Sequence, residues 1–206
     1  MKKKKLSFIS CICWGILVLA LTGCGSSGEN ADADGNREET RPVIVNDLMN
    51  TAIFADSGLR TFEVTSEDLH DGVWDSIITN TDNGSNVSPQ LSWEAVPEAG
   101  CYVIYMVDTS AGNWIHWKSN NVTETSLPQG WAPEGEYIGP YPPSGTHDYK
   151  IYVVAIKEPV ERAKGAFNST NEKFKSNVMS LDAPTEGASG NILAYGEIVG
   201  AYTHGE

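Results

Sequence analysis

Two histidines, an aspartate and a tyrosine are the side chains of this chain best suited to hold a small charged ligand. His147 and Tyr149 stand two residues apart in Thr146-His147-Asp148-Tyr149. On a strand that spacing puts both side chains on one face. His116 precedes Trp117 in a second apolar stretch, and Asp108 ends a third. Two imidazoles and a phenol can donate hydrogen bonds to phosphate or carboxylate oxygens. An aspartate beside them can orient or charge a histidine. Pro142-Pro143 fixes the backbone and removes two N–H donors. Gly145 permits a turn that a ligand can approach closely.

Two other chemistries use the same residues. A hydrolase would join Ser144 or Ser88 to His147 and Asp108, but no G-x-S-x-G elbow supports it. A metal site would use His116, His147 and Asp108, but no H-E-x-x-H or similar spacing supports that. Gly23-Cys24-Gly25-Ser26-Ser27-Gly28 matches the dinucleotide pattern G-x-G-x-x-G. That pattern requires a strand before it and a helix after it; here an apolar leader precedes and a polar linker follows. His70 and His204 read as surface residues, Trp93 and Trp117 as core. Cys101 reads as a buried structural thiol.

The elements that must position these groups are mostly strands. Residues 61–65 alternate, 91–93 form a short stretch, and 101–107 form a continuous apolar run suited to a strand buried on both faces. Residues 114–117, 149–156 and 191–200 complete the set. Asn168-Ser169-Thr170 offers a helix cap, Phe174, Val178 and Leu181 recur at helical spacing, and Pro184 stops the run. A shorter helical turn is expected over 160–164. The fold class is mainly β: a sandwich with one or two peripheral helices.

Read in order, the motifs are Ser88-Pro89-Gln90-Leu91-Ser92-Trp93, Val96-Pro97, a strand ending in Asp108, His116-Trp117, and Gly139-Pro140-Tyr141-Pro142-Pro143-Ser144-Gly145-Thr146-His147-Asp148-Tyr149. This order resembles the phosphatidylethanolamine-binding protein family, and most of all its short bacterial Raf kinase inhibitor-like members, over residues 62–202. The resemblance implies that Asp108, His116, His147 and Tyr149 line a small anion pocket for phosphate-like headgroups, with Pro142 and Gly145 shaping its rim. It implies a binding module, not an enzyme, with no cofactor and no metal. The family's Asp-Pro-Asp-Ala-Pro reads Asp108-Thr109-Ser110-Ala111-Gly112 here, which predicts a looser, less negative rim. Asp148 replaces a residue that is commonly basic, and the stretch between Leu127 and Tyr137 is short. Kinase inhibition, known for animal members, does not transfer by fold alone.

The amino terminus carries Lys2 to Lys5, an apolar run from Leu6 to Leu21, and then Leu21-Thr22-Gly23-Cys24. This is the charged and apolar pattern of an export signal. The apolar run is shorter than the roughly 20 residues a stable membrane span needs. The final tetrapeptide resembles the lipobox of bacterial lipoproteins. The expected organisation is a signal peptide over 1–23, lipidation at Cys24, a flexible tether over 24–42 and one domain over 43–206. The tether is Gly, Ser, Asn, Asp, Glu and Ala with little to bury. Cys11 and Cys13 lie in the leader, so only Cys101 remains in the domain and no internal disulfide is expected.

Net charge is −13, and removing the leader's four lysines would take it to −17. Such a balance excludes nucleic acid as a partner. Any bound anion must be held by a local cluster of donors. The expected partners are a small anionic ligand or phosphorylated headgroup, a membrane reached through the lipid (palmitate or a similar acyl chain), and a partner protein regulated by the module. The location is extracytoplasmic. The rival readings are the hydrolase above and a structural envelope protein with a vestigial pocket.

Overall fold

The computed structural model describes residues 52–205 except 185, 186 and 188. The leader, Cys24 and the tether lie outside the described residues, as does the expected start of the domain at residue 43. In chain order the strands are β1 (Arg60–Phe62), β2 (Val64–Thr65), β3 (Leu69–His70), β4 (Val73–Trp74), β5 (Leu91–Trp93), β6 (Cys101–Asp108), β7 (Trp114–Val122), β8 (Ser126–Leu127), β9 (Thr146–Ile156) and β10 (Ile192–Thr203). One short α-helix, α1 (Phe174–Met179), is present among the described residues.

The larger sheet runs β3-β4-β10-β9-β6-β7, with β1 paired parallel to β10. The smaller runs β2-β5-β8. Every residue of β6 is buried, because neighbours on both sides and layers on both faces cover it. Its even positions, Tyr102, Ile104 and Met106, join Tyr149, Ile151 and Val153 of β9 in a core shared with Val64, Leu91, Trp93 and Leu127 of the smaller sheet. Its odd positions, Val103, Tyr105 and Val107, pack on the other face with Phe174, Val178 and Leu181. Period-2 alternation thus divides one strand between two cores. The expected β-sandwich is the fold observed.

The elements differ from the sequence expectation in detail. The helix begins later than its expected cap. Asn168 is left-handed at φ 52°. The Asn171 side chain accepts from the Ala166 N–H and donates to the Ala166 and Ser169 carbonyls. These bonds hold the chain in a loop up to Lys173. Phe174, Val178 and Leu181 are nevertheless buried on one side, the last in a 3-10 turn over Ser180–Asp182. The turn expected over 160–164 is not helical: the Asn121 side chain captures both the N–H and the carbonyl of Val160. Among the described residues no helix is long and apolar enough to cross a membrane.

Candidate functional site

Asp108, the last residue of β6, is paired with Tyr149 of β9 and with Trp114 of β7. Its even position points it toward the core shared with the smaller sheet. His147 and Tyr149 project on that same face, as their spacing predicts. His116 arrives by a different device. Met106 pairs with Trp117 and Val107 with Ile115, so β7 carries one extra residue, His116, at this step. This is a β-bulge, which re-aims a side chain. It lets Trp117 enter one core and Ile115 the other while His116 meets Tyr149.

The four side chains line a single cavity of about 280 Å³, together with Pro142 and Pro143. His147 Nδ1 donates to Asp108 Oδ2 at 2.6 Å. The His116 ring lies 5.2 Å from the Tyr149 ring, edge-on, and the His147 ring lies 6.4 Å from it. His116 Nδ1 donates to the carbonyls of Ile138 and Gly139 at 2.9 and 3.2 Å. Both Nδ1 atoms are therefore engaged by the protein, and both Nε2 atoms are left for a ligand. Asp108 Oδ1 and the Tyr149 hydroxyl are buried without a hydrogen-bond partner. An unsatisfied buried polar group costs roughly 1–3 kcal/mol. Burial, and then the Asp108 carboxylate, push the Tyr149 phenol well above its ordinary range. It stays protonated and can donate.

Sequence reasoning missed three walls. Trp114 Nε1 and the Tyr141 hydroxyl both donate to Asn168 Oδ1, at 3.0 and 2.6 Å, which fixes two aromatic rings at the cavity mouth. Ala111 closes the third side. Tyr141 lies inside the Gly139–Tyr149 motif and Trp114 two residues before His116, so their positions were visible but their roles were not. Gly145 does not line the cavity; at φ 66° it turns the chain into β9. The rim after Asp108 is not loose. Residues Thr109–Ala111 form a 3-10 turn, Thr109 Oγ1 donates to the Asp148 carbonyl, and the Asp148 N–H donates to Ser110 Oγ. His204 is exposed, yet it is more than a surface group: its Nδ1 donates to the Pro142 carbonyl at 2.7 Å and braces the rim.

The hydrolase geometry does not form at Ser88, which is buried beside a different cavity and accepts the Ala132 N–H. Among the described residues no three His, Cys, Asp or Glu side chains are grouped to hold a metal.

Burial pulls the His116 imidazole below its ordinary pKa, against the opposing effect of its carbonyl partners and Asp108. The unfolded chain, with a histidine near pKa 6.5, therefore binds the proton first as pH falls. Stability from this group is complete above about pH 6.5 and is lost below it. Urea unfolding should show a fall in stability from pH 7.5 to 5.5, and the fall should be smaller in His116→Gln, which can still donate to Ile138. Equal falls in both proteins would remove His116 as the cause.

Residues 65–203 match the family model for the phosphatidylethanolamine-binding protein. The chain belongs to the phosphatidylethanolamine-binding protein family. Among curated proteins it is similar to a UPF0098 protein of Methanothermobacter thermautotrophicus, 30% identical over 146 residues, spanning 61% of this chain and 88% of that one. Two solved structures share the fold. YbcL of E. coli, described as a new member of the mammalian PEBP family, is 26% identical with a TM-score of 0.51, covering 69% of this chain and 98% of its own. A putative phosphatidylethanolamine-binding protein homologue from Chlamydia trachomatis is 24% identical with a TM-score of 0.51, covering 69% and 97%.

Proposed function

We propose that this phosphatidylethanolamine-binding family member is a non-catalytic binding module of the cell envelope, held there by lipid on Cys24. Its cavity takes a small phosphate- or carboxylate-bearing ligand, and occupancy regulates a partner protein. One observation carries the reading. Asp108 Oδ1 and the Tyr149 hydroxyl are buried close to each other, neither meeting a partner at good hydrogen-bond geometry, in a cavity that two histidines also line. Tyr149 supplies a donor for an oxyanion, as does the free nitrogen of His147 when the ring carries both protons. Asp108 Oδ1 can only accept, so the ligand also brings a donor, such as the hydroxyl of a phosphate monoester or an ammonium group. The proline and aromatic walls make the lining mostly apolar, which strengthens each of these bonds.

The test is a titration with phosphate, phosphoethanolamine and acetate, followed through histidine NMR shifts. A hydrogen bond to a charged ligand contributes roughly 1.5–3 kcal/mol, so His147→Ala should bind about tenfold more weakly or worse. Tyr149→Phe should also weaken binding, yet change thermal stability little, because it removes a hydroxyl that meets no protein group at good hydrogen-bond geometry. Equal affinities in all three proteins would leave a cavity without this role.

A further inference from the structure

A second recess, of about 650 Å³, lies where β7 meets the loop before α1. Lys118, Arg162, Lys164 and Lys173 line it, with Glu172 as the lone acid among its walls. The other lysines and arginines of residues 52–205 are Arg60, Lys150, Lys157 and Lys175, so half of the cations share one recess. Over the same residues carboxylates outnumber cations by more than two to one. Among the described residues none of the four cations is in a salt bridge. We propose that this recess is a second binding site, for a small multivalent oxyanion such as a diphosphate or a phosphorylated small molecule.

The floor is built, not incidental. Tyr105 donates its hydroxyl to the Lys164 carbonyl at 2.8 Å, and Lys118 Nζ donates to the Gly165 carbonyl at 2.6 Å. The Asn171 side chain, itself buried, clamps Ala166 from the other side. Gly165 sits at φ 110°, and a Cβ there would lie 2.6 Å from Ile115 Cδ1. The loop that presents Arg162 and Lys164 is thus fixed at three points before any ligand arrives. Burial, and then repulsion from Arg162, draw the Lys118 ammonium below its ordinary range, while Glu136 opposes this. An anion between the two cations relieves that repulsion.

Charge also sets the size of the ligand. Screening confines a local field to about 8 Å at physiological salt. A ligand inside the recess meets the four cations, whereas a long polyanion must also cross the acidic surface around it. A compact ligand with two or more negative charges suits this site best. The inference does not depend on the cavity at His147, since the two share no lining residue.

Calorimetry of the full chain with inorganic pyrophosphate tests it. His147→Ala, whose first cavity is weakened, should still bind one pyrophosphate, in the recess. The double variant Arg162→Glu, Lys164→Glu changes two exposed side chains whose charged groups hold no part of the fold. It should lose about a hundredfold, each lost charged hydrogen bond accounting for about tenfold. Unchanged affinity when the double variant is added to His147→Ala overturns the site, as does the absence of any pyrophosphate binding in His147→Ala alone. Tighter binding of hexaglutamate than of pyrophosphate overturns the assignment to a small ligand.

Discussion

Cys24→Ala is expected to abolish acyl labelling and move the protein out of the membrane fraction. The lysines at 2–5 and the apolar run at 6–21 have the pattern expected of an export signal, and the run is shorter than the roughly 20 residues of a stable membrane span. Durable attachment then depends on acyl chains added to one sulfur, and one chain alone holds a protein only weakly. The effect should be all or none, because Cys11 and Cys13 precede the expected cleavage point and leave with the leader. Metabolic labelling with a palmitate analogue, followed by fractionation, reads both consequences. Label that persists in the variant would overturn the anchor, and label lost without release would point to a second attachment.

Trp117→Ala should lower stability by about 3–5 kcal/mol, as truncations of large buried aromatics do. That is a large part of the roughly 5–15 kcal/mol that a domain has. Trp117 is fully buried, its Nε1 donates to Ser119 Oγ at 2.9 Å, and the Tyr137 ring meets it edge-on at 5.7 Å. It also stands directly beside the bulge residue, so its loss should loosen His116 and weaken ligand binding together with folding. Trp114→Ala, on the same strand but only half-buried, should cost clearly less stability while opening the cavity mouth. Chemical denaturation of the three proteins checks the order; equal midpoints for wild type and Trp117→Ala would overturn it.

Half of the site was legible from alternation. His147 and Tyr149 had to share a face once residues 146–156 were a strand, and Asp108 had to close the buried run that began at Cys101. His116 was legible only through the ordered motifs. Simple alternation sets it opposite both of its neighbours, and no sequence signal marks the bulge that turns it. The walls at Trp114 and Tyr141 depend on Asn168, far along the chain, and contacts of that kind leave no local pattern. The hairpin of β3 and β4 was missed although Asp71-Gly72, left-handed at φ 50° and 80°, is a strong turn signal between short runs. The runs themselves were too brief to register as strands. The helix start was misplaced because a side chain, Asn171, outcompeted the backbone for its own hydrogen bonds.

The extra residue in β7 has an evolutionary consequence. A strand is a two-letter reading frame, and in β7 the frame shifts between Ile115 and Trp117 and again between Ser119 and Val122. Point substitutions can drift through this segment one side chain at a time. A single-residue deletion cannot: it restores the regular frame and exchanges the inner and outer assignments of every residue on one side of the gap. Histidine would enter a hydrophobic layer, and an apolar neighbour would take its place in the cavity. Lineages descended from this chain can therefore change the identity of the residue at position 116 far more readily than the length of the strand that carries it.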